Sequence, residues 1–159
     1  MPTPSPYRTL PSEKRLALVT HRIRSGKEAR ALFVQRLIAR KAGGFRAVTL
    51  MAWPVEQLAR EVVRTRAETP EDELDLLHLL YVQLEPAIQV TFLDAAGVAH
   101  ENGNIPDDLE MPYADAARVE RAVAAVRAAH GDDGEHYLRT LARYSRAAWP
   151  GIEGVVGEG

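Results

Sequence analysis

His130-Gly131-Asp132-Asp133-Gly134-Glu135-His136 gathers two imidazoles and three carboxylates into one short run, the densest set of hard and borderline metal ligands in the chain. A turn there could close them on one cation. The same letters also spell a helix boundary: histidine in a last turn, glycine just past it, and Asp132 with Glu135 three residues on as an aspartate capping box for the next helix. The second meaning explains the run more fully, so no metal is expected there.

Asp75 and His78 lie one helical turn apart, with Glu71 a further turn back. Bundle metal sites use such Glu-x-x-His spacing in pairs from facing helices, and no second copy of the motif occurs here. Around a later loop, His100, Glu101, Asp107 and Asp108 are of the right types for general acid and base, but nothing in the sequence fixes their geometry. Ser12, Ser25 and Ser145 sit in no nucleophile-elbow context. Neither Gly43-Gly44 nor Ser25-Gly26-Lys27 has the glycine spacing of a phosphate loop or a dinucleotide fingerprint. The absence of cysteine excludes thiol catalysis, disulfide staples and cysteine-ligated zinc together. The expectation is a protein with no cofactor and no catalytic centre, and a metal-dependent enzyme at one of the histidine clusters is the remote alternative.

Charge is distributed unevenly. Residues 1–66 hold 14 Lys and Arg against 4 Asp and Glu, whereas residues 67–159 hold 6 against 18, which leaves the stated net charge of −2. Arg22, Arg24, Lys27, Arg30, Arg36, Arg40, Lys41 and Arg46 fall on two successive predicted helices and their exit, and are the candidate polyanion-binding residues, since a guanidinium can hold a phosphate by two parallel hydrogen bonds. No helix-turn-helix fits them: the pairs joined at Ser25-Gly26 and at Gly43-Gly44 both lack a polar second helix able to read a groove. The competing explanation is that basic and acidic helices face each other, within one fold or between subunits.

The elements that must position these residues read as mostly helical. Apolar residues at Leu16, Val19 and Ile23 predict a helix from Ser12. Ser25 to Glu28 predicts a capping box opening a second helix that buries Leu32, Phe33, Leu37, Val34 and Ile38. Phe45–Trp53 is predicted as helix, with a strand as the alternative. Pro54 opens another helix that stops near Ala67 or Glu68. Thr69 and Pro70, followed by Glu71, Asp72 and Glu73, start the leucine-rich helix that carries Leu74, Leu77, Leu80, Tyr81 and Leu84. After Pro86 the alternation of Ile88, Val90 and Phe92, with Gly97 as a turn residue, predicts a β-hairpin. Two further helices follow, separated at Gly131, the second ending at Trp149-Pro150.

The fold expected is therefore mainly α: a single-domain bundle of five or six helices over residues 12–150, with one small β-hairpin inserted near 87–101. Residues 1–11 read as a Pro-rich flexible arm and 151–159 as a flexible tail. No apolar run reaches the roughly 18 residues of a membrane span and no signal-peptide pattern opens the chain, so a cytoplasmic protein without membrane contact is expected. The excess of arginine over lysine, with abundant alanine, fits a GC-rich bacterial coding background. The functional expectation is a non-enzymatic protein–protein interaction or scaffold module that self-associates, motivated by the opposed charges. A nucleic-acid-binding protein using the basic helices is the alternative.

Overall fold

The computed structural model describes residues 3–40 and 44–157. Its helices are α1 (Pro6–Thr9), α2 (Ser12–Arg24), α3 (Lys27–Ala39), α4 (Ala47–Met51), α5 (Val55–Thr65), α6 (Pro70–His78, passing into a π-helical stretch Leu79–Leu84), α7 (Pro86–Ala96), α8 (Ala116–Tyr144) and α9 (Ile152–Val156). No strand occurs among the described residues; the β-type pairing found there is one isolated bridge between Glu101 and Asn104. No single helix among them is long and apolar enough to cross a membrane.

The expected hairpin near 87–101 is thus corrected to a helix. Ile88, Val90 and Phe92 alternate, but Ile88, Phe92 and Ala96 also recur every four residues, and it is these three with Leu93 that are buried. Pro86 stands at the first helical turn, where its missing N–H costs nothing. Gly97, expected as the hairpin glycine, is the left-handed residue that closes α7, at φ 69°. The helix wins because its pattern buries one continuous face, Pro86 starts it and Gly97 closes it; Arg118 donates to the carbonyls of Ala96 and Gly97, each at 2.7 Å.

The chain forms two compact units, Leu10–Leu77 and the remainder. In the first, α2 packs on α3 and α5, and α3 packs on α4 and α5. Its core is Leu18, Val19 and Ile23 of α2, Phe33, Val34 and Leu37 of α3, and Leu58, Ala59 and Val62 of α5. Each large side chain fully buried there stabilises the fold by roughly 1.5–3 kcal/mol. The N-terminus of α6 is closed by a reciprocal cap: Thr69 N–H donates to Asp72 at 2.9 Å and Asp72 N–H donates to the Thr69 hydroxyl at 3.2 Å. The capping box expected at Ser25 does not form. Gly26 is the N-cap of α3, and the Ser25 hydroxyl turns back to donate to the carbonyl of Arg22.

In the second unit α7, α9 and α1 pack on α8. The stretch expected to be an arm contains the turn α1, with Tyr7 buried, and the stretch expected to be a tail contains α9, with Ile152 buried. Gly131 breaks α8 at φ 54°, ψ −129°. The turns on either side of the break come so close that a Cβ on Gly134 would lie 2.8 Å from Val126 Cγ1 and 2.9 Å from the Val126 carbonyl oxygen. Glycine at 134 is required by that approach.

Candidate functional site

Four of the eight candidate polyanion-binding residues are used inside the unit Leu10–Leu77. Arg36 grips Asp72 with two prongs, Nε to Oδ2 at 2.9 Å and Nη2 to Oδ1 at 3.3 Å, and Asp72 is only 3% exposed. That contact raises the Arg36 pKa, chiefly through the hydrogen bond to Asp72. Arg40 donates at 2.8 Å to the carbonyl of Arg66, the left-handed residue that ends α5. Arg30 donates to the Trp53 carbonyl, and Arg24 pairs with Glu56, whose carboxyl is held below its usual range by its own backbone N–H and by Arg24. Arg22, Lys27 and Arg46 are exposed and make no ion pair among the described residues. Lys41 lies outside the described residues. Arg24, Arg30, Arg36 and Arg40 thus tie α2 and α3 to the chain that follows.

The charge split along the sequence is likewise partly internal. The acidic run from Glu68 to Asp75 belongs to the same compact unit as the basic helices, so Leu10–Leu77 holds 13 Lys and Arg against 9 Asp and Glu. The rest of the chain holds 7 against 13.

The histidine clusters are occupied by structural bonds. Thr91 donates its hydroxyl to the Ala87 carbonyl at 3.0 Å, so the 2.9 Å contact to His130 Nε2 makes that nitrogen the donor. His136 faces the carbonyls of Asp132 at 2.9 Å from Nδ1 and of Thr9 at 3.2 Å from Nε2. Glu135 turns away to Arg127. Metal ligation at α6 finds no support either: Glu71, Asp75 and His78 are exposed, and no group of three or more His, Asp or Glu converges as metal ligands among the described residues. His100 accepts from Gly103 N–H at its Nδ1, 3.0 Å away, and donates from Nε2 to Asp94 at 2.6 Å. Both ring nitrogens are spent holding the loop, so His100 is not placed as a general base for Glu101, Asp107 or Asp108.

The surface of the first unit also carries large apolar side chains. Phe45, Val48 and Met51 recur at spacings of three through α4 and are 39%, 83% and 38% exposed, and Ile38 at the end of α3 is 42% exposed. Val48 and Met51 share one face of α4, and Phe45 stands in the extended stretch that leads into it. A five-residue helix has one side to bury, and α4 spends it on Leu50. The stripe is held in place: the Phe45 ring meets Trp53 edge-on at 4.7 Å, and Arg30 fixes the Trp53 carbonyl. The sequence signal for this surface was present in the threefold spacing of Phe45, Val48 and Met51. It was obscured because Phe45, Ala47, Thr49, Met51 and Trp53 also alternate as a strand would. Comparisons with protein-family models, with curated proteins and with solved structures find no match to this chain.

Proposed function

We propose that the protein is a non-enzymatic interaction module that associates with a second copy of itself, with the Phe45–Val48–Met51 stripe as the contact. The observation that carries this reading is the exposure of that stripe: four large apolar side chains on the α3–α4 pair remain in water while the histidines of the clusters at 130–136 and at 100, and half of the candidate cations, are occupied internally. The occupant follows from charge. The stripe belongs to a unit with an excess of Lys and Arg and has exposed Arg46 at its start, whereas the remainder of the chain has an excess of Asp and Glu, so another copy supplies a surface of opposite sign. Four side chains fall well short of the roughly 1,200 Å² of a stable interface, so the association is weak and concentration-dependent. A polyanion is the poorer partner for this unit, because Arg24, Arg30, Arg36 and Arg40 already hold acceptors of the chain itself.

The test is mass in solution by light scattering over a wide concentration range at low and high salt. The mass is expected to rise above the 17.6 kDa of one chain as concentration increases, and less so in high salt, where the charge attraction is screened. Val48→Asp and Val48→Lys should both return the protein to a monomer, the pair of opposite charges separating loss of apolar contact from a change of sign. A monomer at every concentration, or association that both variants leave intact, overturns the proposal.

A further inference from the structure

The unit that contains α8 holds a second, different surface feature, a pocket of about 370 Å³ between α7, the loop that follows it and the end of α8. Its walls are built from chain segments that are tied at both ends. At one end the Gln89 amide donates to the Gly103 carbonyl, and the Glu101–Asn104 bridge, with both hydrogen bonds at 2.9 Å, closes the turn that presents that carbonyl. At the other end Tyr113 N–H donates to the Ala148 carbonyl at 3.1 Å. The loop is thus fixed over α8 and the space beneath it is preformed, as ligand pockets usually are.

The chemistry of the walls is one-sided. Tyr113, Tyr137, Tyr144 and Trp149 supply four aromatic rings, and Leu141 and Met111 add aliphatic surface; none of the lining residues carries a formal charge. The rings are locked against one another: Trp149 meets Phe92 edge-on at 4.8 Å and Tyr113 at 5.4 Å, and Phe92 meets Tyr137 at 6.0 Å. Polar groups are few, Gln89 and Ser145 among them, enough to orient a ligand without binding an ion. The mouth is apolar too, with Met111 61% and Tyr144 40% exposed. Burial keeps the Tyr137 phenol protonated well past its usual range, so this wall stays neutral.

We infer that this pocket is a binding site for an uncharged, flat aromatic molecule, held by ring contacts with the more accessible Tyr113 and Tyr144 beside the buried Trp149. Size and charge select this occupant: the volume lies in the range of small-molecule sites, and a charged group would lose its hydration inside with no counter-ion to replace it. The inference is independent of self-association, since it rests on residues of the other compact unit.

The probe is N-phenyl-1-naphthylamine, a neutral aromatic amine whose emission rises out of water, compared with 8-anilino-1-naphthalenesulfonate, which has the same ring skeleton and one sulfonate. The full-length protein carrying Trp53→Phe leaves Trp149 as the single tryptophan. The neutral probe is expected to bind saturably at one site and to quench Trp149, with the sulfonate at least about tenfold weaker. Met111→Asp at the exposed rim and Ala147→Phe on the exposed turn should each weaken the neutral probe by about tenfold or more, with the thermal midpoint held as evidence of an intact fold. Saturable binding that the two variants leave unchanged, equal binding of the sulfonate, or no binding of the neutral probe overturns the inference. Val48→Asp should leave the probe affinity as it was, which keeps the two proposals separable.

Discussion

Arg127 and Glu135 meet across the break in α8 in a two-pronged ion pair, Nε to Oε2 at 2.9 Å and Nη2 to Oε1 at 3.1 Å. Eight residues of unbroken helix would set them about 12 Å apart along the axis. The pair exists because Gly131 folds the helix back, and it holds the fold-back closed from the outside while Val126 and Gly134 pack on the inside. Arg127 also reaches the Val155 carbonyl of α9 at 3.4 Å, which links the break to the end of the chain.

Glu135 should therefore contribute stability with a defined pH dependence. The hydrogen bond from Arg127, the largest cause, holds its carboxyl below the ordinary value of 4.5. A carboxyl with a lowered folded pKa stabilises the protein fully above its unfolded value, and the contribution is lost as pH falls through the folded one. Glu135→Gln is expected to cost about 0.5–1 kcal/mol at neutral pH, discounted because both side chains are partly exposed. Urea unfolding at a series of pH values should show the difference between wild type and variant shrinking as pH falls from the ordinary value of 4.5 through the lower folded one. A constant difference down to about pH 2 would mean that Glu135 acts through packing.

Gly134→Ala tests the inside of the same corner. The added methyl meets a backbone oxygen that cannot move without breaking a turn of α8, so a loss of about 1–3 kcal/mol is expected, against the usual gain for replacing glycine in a helix. Thermal unfolding reads the sign. A stabilised variant would show that the helix halves separate freely.

Much of this architecture was legible in the residues, and the misreadings have physical causes. The start of α6 could be read because Thr69, Pro70 and the three acids after it each satisfy a local requirement of a helix end. The cores of α2, α3 and α5 followed from threefold and fourfold apolar spacing. The hairpin error at Ile88–Phe92 arose because β-branched residues alternated within a segment whose burial has helical period; weighing Pro86 and Gly97 together as start and stop would have decided it. Ile38 was expected inward from its spacing and is exposed, because the neighbour that a helix face packs against is not written in its own period. The internal partners of the basic residues were hidden for a related reason. Arginine spacing shows which side of a helix is charged, but Asp72, the Trp53 carbonyl and the Arg66 carbonyl come from segments 23 to 36 residues away, beyond any local pattern.

Substitutions of the basic residues should accordingly divide into two groups. Asp72→Ala removes both the partner of Arg36 and the cap of Thr69 N–H from a buried position, and is expected to cost about 3–5 kcal/mol. Arg36→Gln and Arg40→Gln should each destabilise measurably, whereas Arg22→Gln, Lys27→Gln and Arg46→Gln should stay within about 0.5 kcal/mol of wild type. Equilibrium unfolding of the set checks the division. Equal, negligible effects from all five arginine and lysine variants would return these residues to the role of an open cationic face.

The tyrosines give the last prediction. Of the five in the chain, Tyr81 and Tyr137 are 5% and 3% exposed and pack edge-on at 5.0 Å, and burial pushes both phenols well above the usual value. Each folded pKa lies above the unfolded value near 10, so stability is untouched below about pH 10 and falls as pH rises beyond it, because the unfolded chain then releases protons that the folded chain retains. The slope approaches about 1.4 kcal/mol per pH unit for each buried phenol once the unfolded groups are fully ionised. Ultraviolet titration of tyrosinate should show Tyr81 and Tyr137 among the phenols that ionise only together with loss of the helical circular dichroism signal, since Tyr7 is buried as well. Tyr137→Phe should remove one such phenol and make alkaline unfolding shallower by the corresponding slope, while all five ionising before the helices melt would show that the Tyr81–Tyr137 pair is open to water.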